Sequence, residues 1–300
     1  MTTLDMDRMA WAAETSGYPM NELDLDLDGG LLAGRAATLK AVTRYWNIRT
    51  GEQVRQSSEE AVSGWSPERR LRAVCHKDSI QIVDNQGKTL RWVILPWPVP
   101  LGWRPNSQEF AFTSNFDGRI RLLRMRRGTI AESVTRCTLL GIPAVAAISP
   151  TGAHVAVAVG MGLQIADIPS PPGNAAQSPT ILAFHPLPSE YQNRVLLADL
   201  SHGSIRPILS PGSSRITAMA FAADGVLVVA DEENEVRWID TGKELVVARW
   251  WSLAPVLAMS RRGDKVVLAD SGAGSMNLPA VYSVRLMDSK RAVAEGSHGN

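Results

Sequence analysis

The side chains that most often carry chemistry are all present in this chain, but their spacing sets up no reaction. His76, His154, His185, His202 and His298 are scattered, with no His-x-x-x-His or Cys-x-x-Cys arrangement to hold a metal. Cys75 and Cys137 stand alone and read as reduced thiols packed like small hydrophobes. Ser, His and Asp are plentiful, yet Gly-x-Ser-x-Gly is missing and nothing pairs a nucleophile with its base. Gly160-Met161-Gly162 and Gly272-Ala273-Gly274 precede no helix, so they read as tight turns and not as phosphate cradles. On these residues the expectation is no catalytic residue, no cofactor and no metal ligand.

Two other residue sets point to binding. In GRIRLLRMRRG, residues 118–128, alternation places Arg119 and Arg121 on one face, with Arg126 and Arg127 following. Such a sector can steer a partner, or track phosphates as a nucleic-acid patch, although Phe116 is the only aromatic interleaved with it. A solvated outer strand explains the same residues. Trp97, within Pro96-Trp97-Pro98, and Trp250-Trp251, at the end of an apolar run, are candidate interface anchors, since Trp is enriched at binding hot spots. Trp65 and Trp103, beside turn prolines, read as wedges in the core.

These residues must be positioned by strands. Phe221–Trp250 shows the plan most clearly: the turn Ala222-Ala223-Asp224-Gly225, a run Val226–Ala230, a charged turn, an alternating run Val236–Asp240, a Thr241-Gly242 turn and a last run to Trp250. Matching turns start at Asp26, Ser66, Arg104, Ser149, His185, Ala222 and Ser260, with spacings of 40, 38, 45, 36, 37 and 38. A period of that size marks a repeat architecture. The near-copies RVLLAD, VLVVAD and KVVLAD, ending at Asp199, Asp231 and Asp270, suggest equivalent second strands. Their continuous apolar character fits strands covered on both faces. The fourth and fifth repeats break the plan. The Pro-rich tract 169–179, the insertion 187–193 and the turn after Leu209 predict short or missing outer strands there.

RYWNIRTGEQV at 44–54 and VRWIDTGKELV at 236–246 resemble the strand-and-turn signature of WD-repeat β-propellers, as AFAADG and AISPTG resemble that family's hairpin. The likeness spans about residues 20–290. The Trp-Asp pair is nowhere intact, Trp46-Asn47 and Ile239-Asp240 coming nearest, and the Gly-His pair that opens a repeat is missing. The resemblance implies an all-β chain forming a single β-propeller domain over 1–300. It would have seven blades of mostly four antiparallel strands, or six. It also implies closure by a strand from the N-terminal segment 1–15, with Arg291–Glu295 as the competitor and 296–300 as a frayed tail.

Composition adds bounds. The net charge of +1 argues against nucleic-acid binding through an overall field, though residues 64–127 carry twelve Lys or Arg against five Asp or Glu, and 1–28 carry seven acids against one base. No apolar run approaches the ~20 residues of a membrane helix. The N-terminal stretch lacks the basic start and apolar centre of a secretory signal, so the expected location is the cytoplasm. The function expected is a non-catalytic platform for protein partners, acting alone or as a subunit of a complex. It would bind through the loop face around Trp97, Trp250 and Trp251, with Arg119, Arg121, Arg126 and Arg127 steering, and through edges of degenerate blades. The alternatives are a propeller-scaffold hydrolase or lyase with a central-channel site, and nucleic-acid binding at Arg119–Arg127.

Overall fold

A computed structural model describes residues 9–15, 20–26, 31–36, 43–47, 50, 52–57, 66–68, 70–76, 78–105, 108–114, 117–126, 129–139, 141–159, 194–209, 214–252, 256–262, 265–270 and 280–288. These residues form strands and turns, with no helix among them and hence none long and apolar enough to cross a membrane. In chain order the strands are β1 (Met9–Thr15), β2 (Met20–Asp26), β3 (Leu31–Ala36), β4 (Thr43–Asn47) and β5 (Gln53–Ser57). Next come β6 (Leu71–Cys75), β7 (Ser79–Asp84) and β8 (Thr89–Ile94), then β9 (Pro98–Trp103), β10 (Glu109–Ser114), β11 (Arg119–Arg126) and β12 (Thr129–Thr138). They are followed by β13 (Pro143–Ile148), β14 (His154–Val159), β15 (Val195–Asp199) and β16 (Ser204–Leu209), then β17 (Ile216–Ala223), β18 (Val226–Asp231), β19 (Glu235–Asp240) and β20 (Leu245–Trp251). The last are β21 (Val256–Arg262), β22 (Lys265–Asp270) and β23 (Ala280–Asp288).

Six antiparallel sheets result: β2-β3-β4-β5, β6-β7-β8, β9-β10-β11-β12, β13-β14-β15-β16, β17-β18-β19-β20, and β21-β22-β23 with β1 added at its outer edge. The first strands of successive sheets pack side by side, β6 on β9, β9 on β13, β13 on β17, β17 on β21 and β21 on β2. The sheets β9–β12, β13–β16, β17–β20 and β21–β23 are thus each sandwiched between two others, and their strands split their residues by alternation. In β18, Leu227 and Val229 join the core shared with β13–β16, while Val228 and Ala230 join the core shared with β21. In β14, Val155, Val157 and Val159 face β9–β12, and Ala156 and Ala158 face the other way. Continuous apolar runs are what this geometry requires. Fully burying each Val or Leu contributes about 1.5–3 kcal/mol.

The turns explain why the repeat was legible. Ser66 and Ser149 each accept a backbone N–H five residues on, from Leu71 and His154, through their hydroxyls at 3.1 Å. The matching backbone bond, first residue N–H to fifth-residue carbonyl, recurs at Ser66, Arg104 and Ser149. The turn into the outer strand is equally regular, because a carboxylate or amide ends the preceding strand and accepts N–H groups of the turn. Asp84 takes those of Gln86 and Lys88, Asp199 those of Ser201 and His202, Asp240 those of Gly242 and Lys243, and Asn47 that of Thr50. Side-chain capping of this kind substitutes for backbone partners that a tight turn leaves unmet.

In the fourth and fifth repeats the described strands fall within one sheet. Among the described residues six sheets form, because Val195–Asp199 does not begin a sheet of its own but pairs with His154–Val159 as a third strand, with Val155 opposite Ala198. The likeness of RVLLAD to VLVVAD misled, since Asp231 ends a second strand whereas Asp199 ends a third and caps its turn. Ser204–Leu209 is then the outer strand of a complete four-stranded sheet, so the missing outer edges predicted for these repeats are not found there. Gly203 closes the turn at φ +75°; a Cβ on it would stand 2.5 Å from the Cβ of Arg136, so it also lets two sheets approach. The tract 169–179, the insertion 187–193 and the anchor His185 lie outside the described residues. The stretch read as polar and poorly defined, 129–139, holds a ten-residue strand, Thr129–Thr138, that pairs along β11 with a bulge opposite the Arg119–Arg121 stretch.

β1 pairs with β23 across Glu14–Val281, Ala13–Tyr282 and Ala12–Ser283. An N-terminal strand therefore completes the sheet made by the C-terminal ones. Arg291–Glu295 and 296–300 lie outside the described residues.

Candidate functional site

The three-stranded sheet β6-β7-β8 presents three exposed large apolar side chains on its outer strand, Leu90, Trp92 and Ile94. Its Ala73, Ile80, Ile82 and Val93 face β9–β12 and pack with Trp103, Phe110, Phe112 and Leu123. Strand alternation turns Trp92 and Ile94 to the opposite face, where Ile94 is 86% exposed and Trp92 51%. Leu90, the extra residue at a bulge in the β7–β8 ladder, is exposed as well. Trp97 follows in the link to β9, 42% exposed.

Trp92 is held in place. The His76 ring stacks on it, centroids 5.3 Å apart, and His76 Nε2 lies 3.3 Å from Gln81 Oε1, while Gln81 in turn donates to Thr89 Oγ1 at 2.5 Å. An aromatic already ordered loses less entropy when it is buried by a partner. Trp97 has φ +51°, unusual for a bulky residue and a cost on the order of 1 kcal/mol or more. Pro98 behind it disfavours the right-handed helical well, and the Ser114 hydroxyl donates to the Pro96 carbonyl at 2.6 Å, tying the link to β10.

The other expected site residues are not gathered here. Trp250 is half-buried against the core around Trp238, and Trp251, exposed at the end of β20, pairs across from Glu235. Two intervening sheets, β9–β12 and β13–β16, separate them from Trp97. Trp103 is a core wedge, as read, its ring 5.1 Å from that of Phe110. Trp65 lies outside the described residues.

The basic run also divides. Arg119 is exposed, but Arg121 is buried and held by Asp117, Nη1–Oδ1 2.9 Å and Nη2–Oδ2 2.5 Å, with Glu132 at 3.3 Å from Nε. That guanidinium is committed to carboxylates, which corrects its reading as a steering residue. Arg124 is likewise engaged, by the buried Glu109, which Arg104 grips from its other oxygen. Burial pushes the Glu109 carboxyl up, but hydrogen bonds from Arg124 and Arg104 outweigh it and leave the pKa below the usual range. Arg126 is described only as part of β11, and Arg127 lies outside the described residues.

Reactive chemistry finds little support in the described residues. A cavity of about 340 Å³ opens beside the first strands β9, β13, β17 and β21, and apolar side chains such as Trp103, Ile148, Met219, Phe221 and Met259 line it. No acid or histidine stands among its walls. No cluster of three His, Cys, Asp or Glu suited to a metal occurs among the described residues. Burial pushes the Cys75 thiol up to about 12 and raises that of Cys137, so neither is a thiolate near neutrality. Asp199 lies 2.8 Å from His202 Nδ1 and has a pKa of about 2, from the N–H and ring of His202. That pair belongs to the turn.

Sequence reading missed Trp92 and Ile94. The signal was available in Thr89–Leu95, TLRWVIL, an outer strand whose wet face should alternate with polar residues and instead carries Leu90, Trp92 and Ile94.

No family model matches the chain, and no curated protein matches it. In fold it is similar to a solved structure described as "KlHsv2 with loop 6CD replaced by a Gly-Ser linker", with a TM-score of 0.51 at 10% identity, covering 88% of this chain and 83% of that one. At that identity the likeness speaks to the fold alone.

Proposed function

We propose that this chain is a WD-repeat-like β-propeller that binds protein partners without catalysing a reaction, and that its binding surface is the open face of β8 with Trp97. In this reading the six sheets are blades of a ring whose closure falls between the sheets of β2 and β6, and the pairing of β1 with β23 within one sheet supports it. The observation that carries the reading is the solvent exposure of Trp92 and Ile94 on one face of an outer strand, followed by Trp97. Large apolar groups presented together in this way mark interaction surfaces more often than isolated exposed residues do. The engagement of Arg121 and Arg124 with carboxylates takes cations away from the nucleic-acid alternative, and the apolar cavity favours no channel chemistry. The reading places the protein in the cytoplasm, alone or as one subunit of a complex.

Affinity capture from the native cell tests this, with the wild type beside a Trp92→Ala, Trp97→Ala variant and a Trp251→Ala variant. The expected result is a partner retained by the wild type and by Trp251→Ala and lost with the double variant. Equal retention by all three would remove this face as the binding surface.

A further inference from the structure

The outer strand of a sheet offers unpaired backbone groups, and proteins usually blunt such edges. β16 carries Pro207, which has no N–H to give; β12 carries exposed Glu132, Ser133 and Arg136; β5 is the polar QVRQS; and β20 keeps Val246, Val247 and Ala248 half-buried. β8, TLRWVI, has neither proline nor acid, and its burial is confined to Val93. Its ladder also fixes which groups look outward. The N–H of Leu95 donates to the Asp78 carbonyl at 3.0 Å, so by antiparallel alternation Val93 and Arg91 bond toward β7, opposite Ile80 and Ile82. Trp92 and Ile94 therefore turn their N–H and C=O to the open edge. The residues with free edge backbone are the ones with exposed apolar side chains.

Charge selects the occupant. The exposed side chains of Arg91 and Lys88 are held by no carboxylate among the described residues, and residues 64–127 carry an excess of seven positive charges. A strand laid along β8 sets alternate side chains beside Trp92 and Ile94 and the intervening ones beside Arg91. A second copy of this chain would bring the same cations to that edge.

Resting on the reading of this face as protein-binding, we propose that β8 takes an extended partner segment as an added antiparallel or parallel strand, one in which apolar residues alternate with Asp or Glu. Backbone bonds to Trp92 and Ile94 supply the affinity, the apolar residues pack on those side chains, and the acids meet Arg91 and Lys88.

The probe is a synthetic nine-residue peptide of Glu alternating with Val and Phe. It is compared with the same peptide bearing Lys for Glu, and with one N-methylated on the amides of one edge at a time. Titration calorimetry and residue-resolved hydrogen exchange are read on the full chain. The expected results are saturable binding of the Glu peptide and at least tenfold slower exchange at the Trp92 and Ile94 amides. Binding should be at least tenfold weaker for the Lys peptide and for one of the two N-methylated forms. Arg91→Glu, a surface change that keeps the fold, should reverse the preference toward the Lys peptide. Undiminished binding of both N-methylated forms would overturn strand addition while leaving a side-chain docking face. Unaltered binding of the Glu peptide by Trp92→Arg would overturn both the strand and the face. A dimer of the wild-type chain in sedimentation, abolished by Trp92→Arg, would assign the edge to a second copy and overturn the acidic partner.

Discussion

The sheets β17–β20 and β6–β8 are built from the same turns and diverge in what they do with a tryptophan. Trp238, in the third strand of the first, is fully buried in a core with Val228, Ala230 and Val236. Trp92, in the outer strand of the second, is half in water though its ring is stacked and its neighbours are hydrogen-bonded. The second sheet buries Ala73, Ile80, Ile82 and Val93 against β9–β12, so it is not a failed copy of the first. Its inner strands β6 and β7 are packed like any other, and only the last strand departs. The difference teaches that the repeat supplies the frame, and that one strand carries a surplus of apolar surface with no use inside that frame, which is the face proposed to bind a partner.

The comparison breaks first at the two tryptophans. Trp238→Ala should cost about 3–5 kcal/mol by leaving a cavity in a dry core, whereas Trp92→Ala should cost under about 1 kcal/mol. Urea midpoints of the two variants measure this; similar losses would mean that Trp92 belongs to the core.

Glu109 tests the brace that backs the second sheet through Phe110 and Phe112. Glu109→Ala should cost about 3 kcal/mol, since it leaves Arg104 and Arg124 without their shared carboxylate. Because the folded-state pKa lies below the usual value, the stabilisation is present above the unfolded carboxylate range near ~4.3 and is lost as pH falls through the folded pKa. Acid unfolding curves of wild type and variant should therefore converge at low pH. Curves that stay parallel would show that Glu109 acts through packing alone.

Next come the turns common to both sheets. Asp84→Ala and Asp240→Ala should each cost about 1 kcal/mol by thermal unfolding, in equal measure, because each carboxylate accepts two turn N–H groups. Asp199, with a pKa of about 2, is the titratable counterpart in the sheet β13–β16. Its contribution holds above about pH 4 and is lost as pH falls toward 2. Asp199→Asn should flatten the stability profile across that interval. An unchanged slope would assign the acid sensitivity elsewhere.

Much of the frame could be read from the chain, and the reasons are local. Turn residues such as Ser66, Ser149 and Asp240 sit where their side chains bond the backbone, so their spacing exposes the period. What the repeat could not convey was pairing. Val195–Asp199 has the composition of a second strand, and only its long-range ladder with His154–Val159 makes it a third. The candidate site was half legible. Trp97 was found by its prolines, but Trp92 and Ile94 look like ordinary core residues until the strand is known to be outermost. Arg121 in the basic run suffered the opposite error, because Asp117, four residues before it, and Glu132 on the next strand engage its guanidinium in space.

The smallest effect on stability is expected where the effect on function should be largest. Trp92→Arg with Ile94→Arg should leave the unfolding midpoint within about 0.5 kcal/mol of wild type, as exposed changes do. The most direct measurement is hydrogen exchange of the full chain with and without its captured partner. The account predicts protection concentrated at Leu90–Trp97, with no such change in the double-arginine variant. Protection centred on Leu245–Trp251, or on the cavity walls, with Leu90–Trp97 unchanged would contradict it.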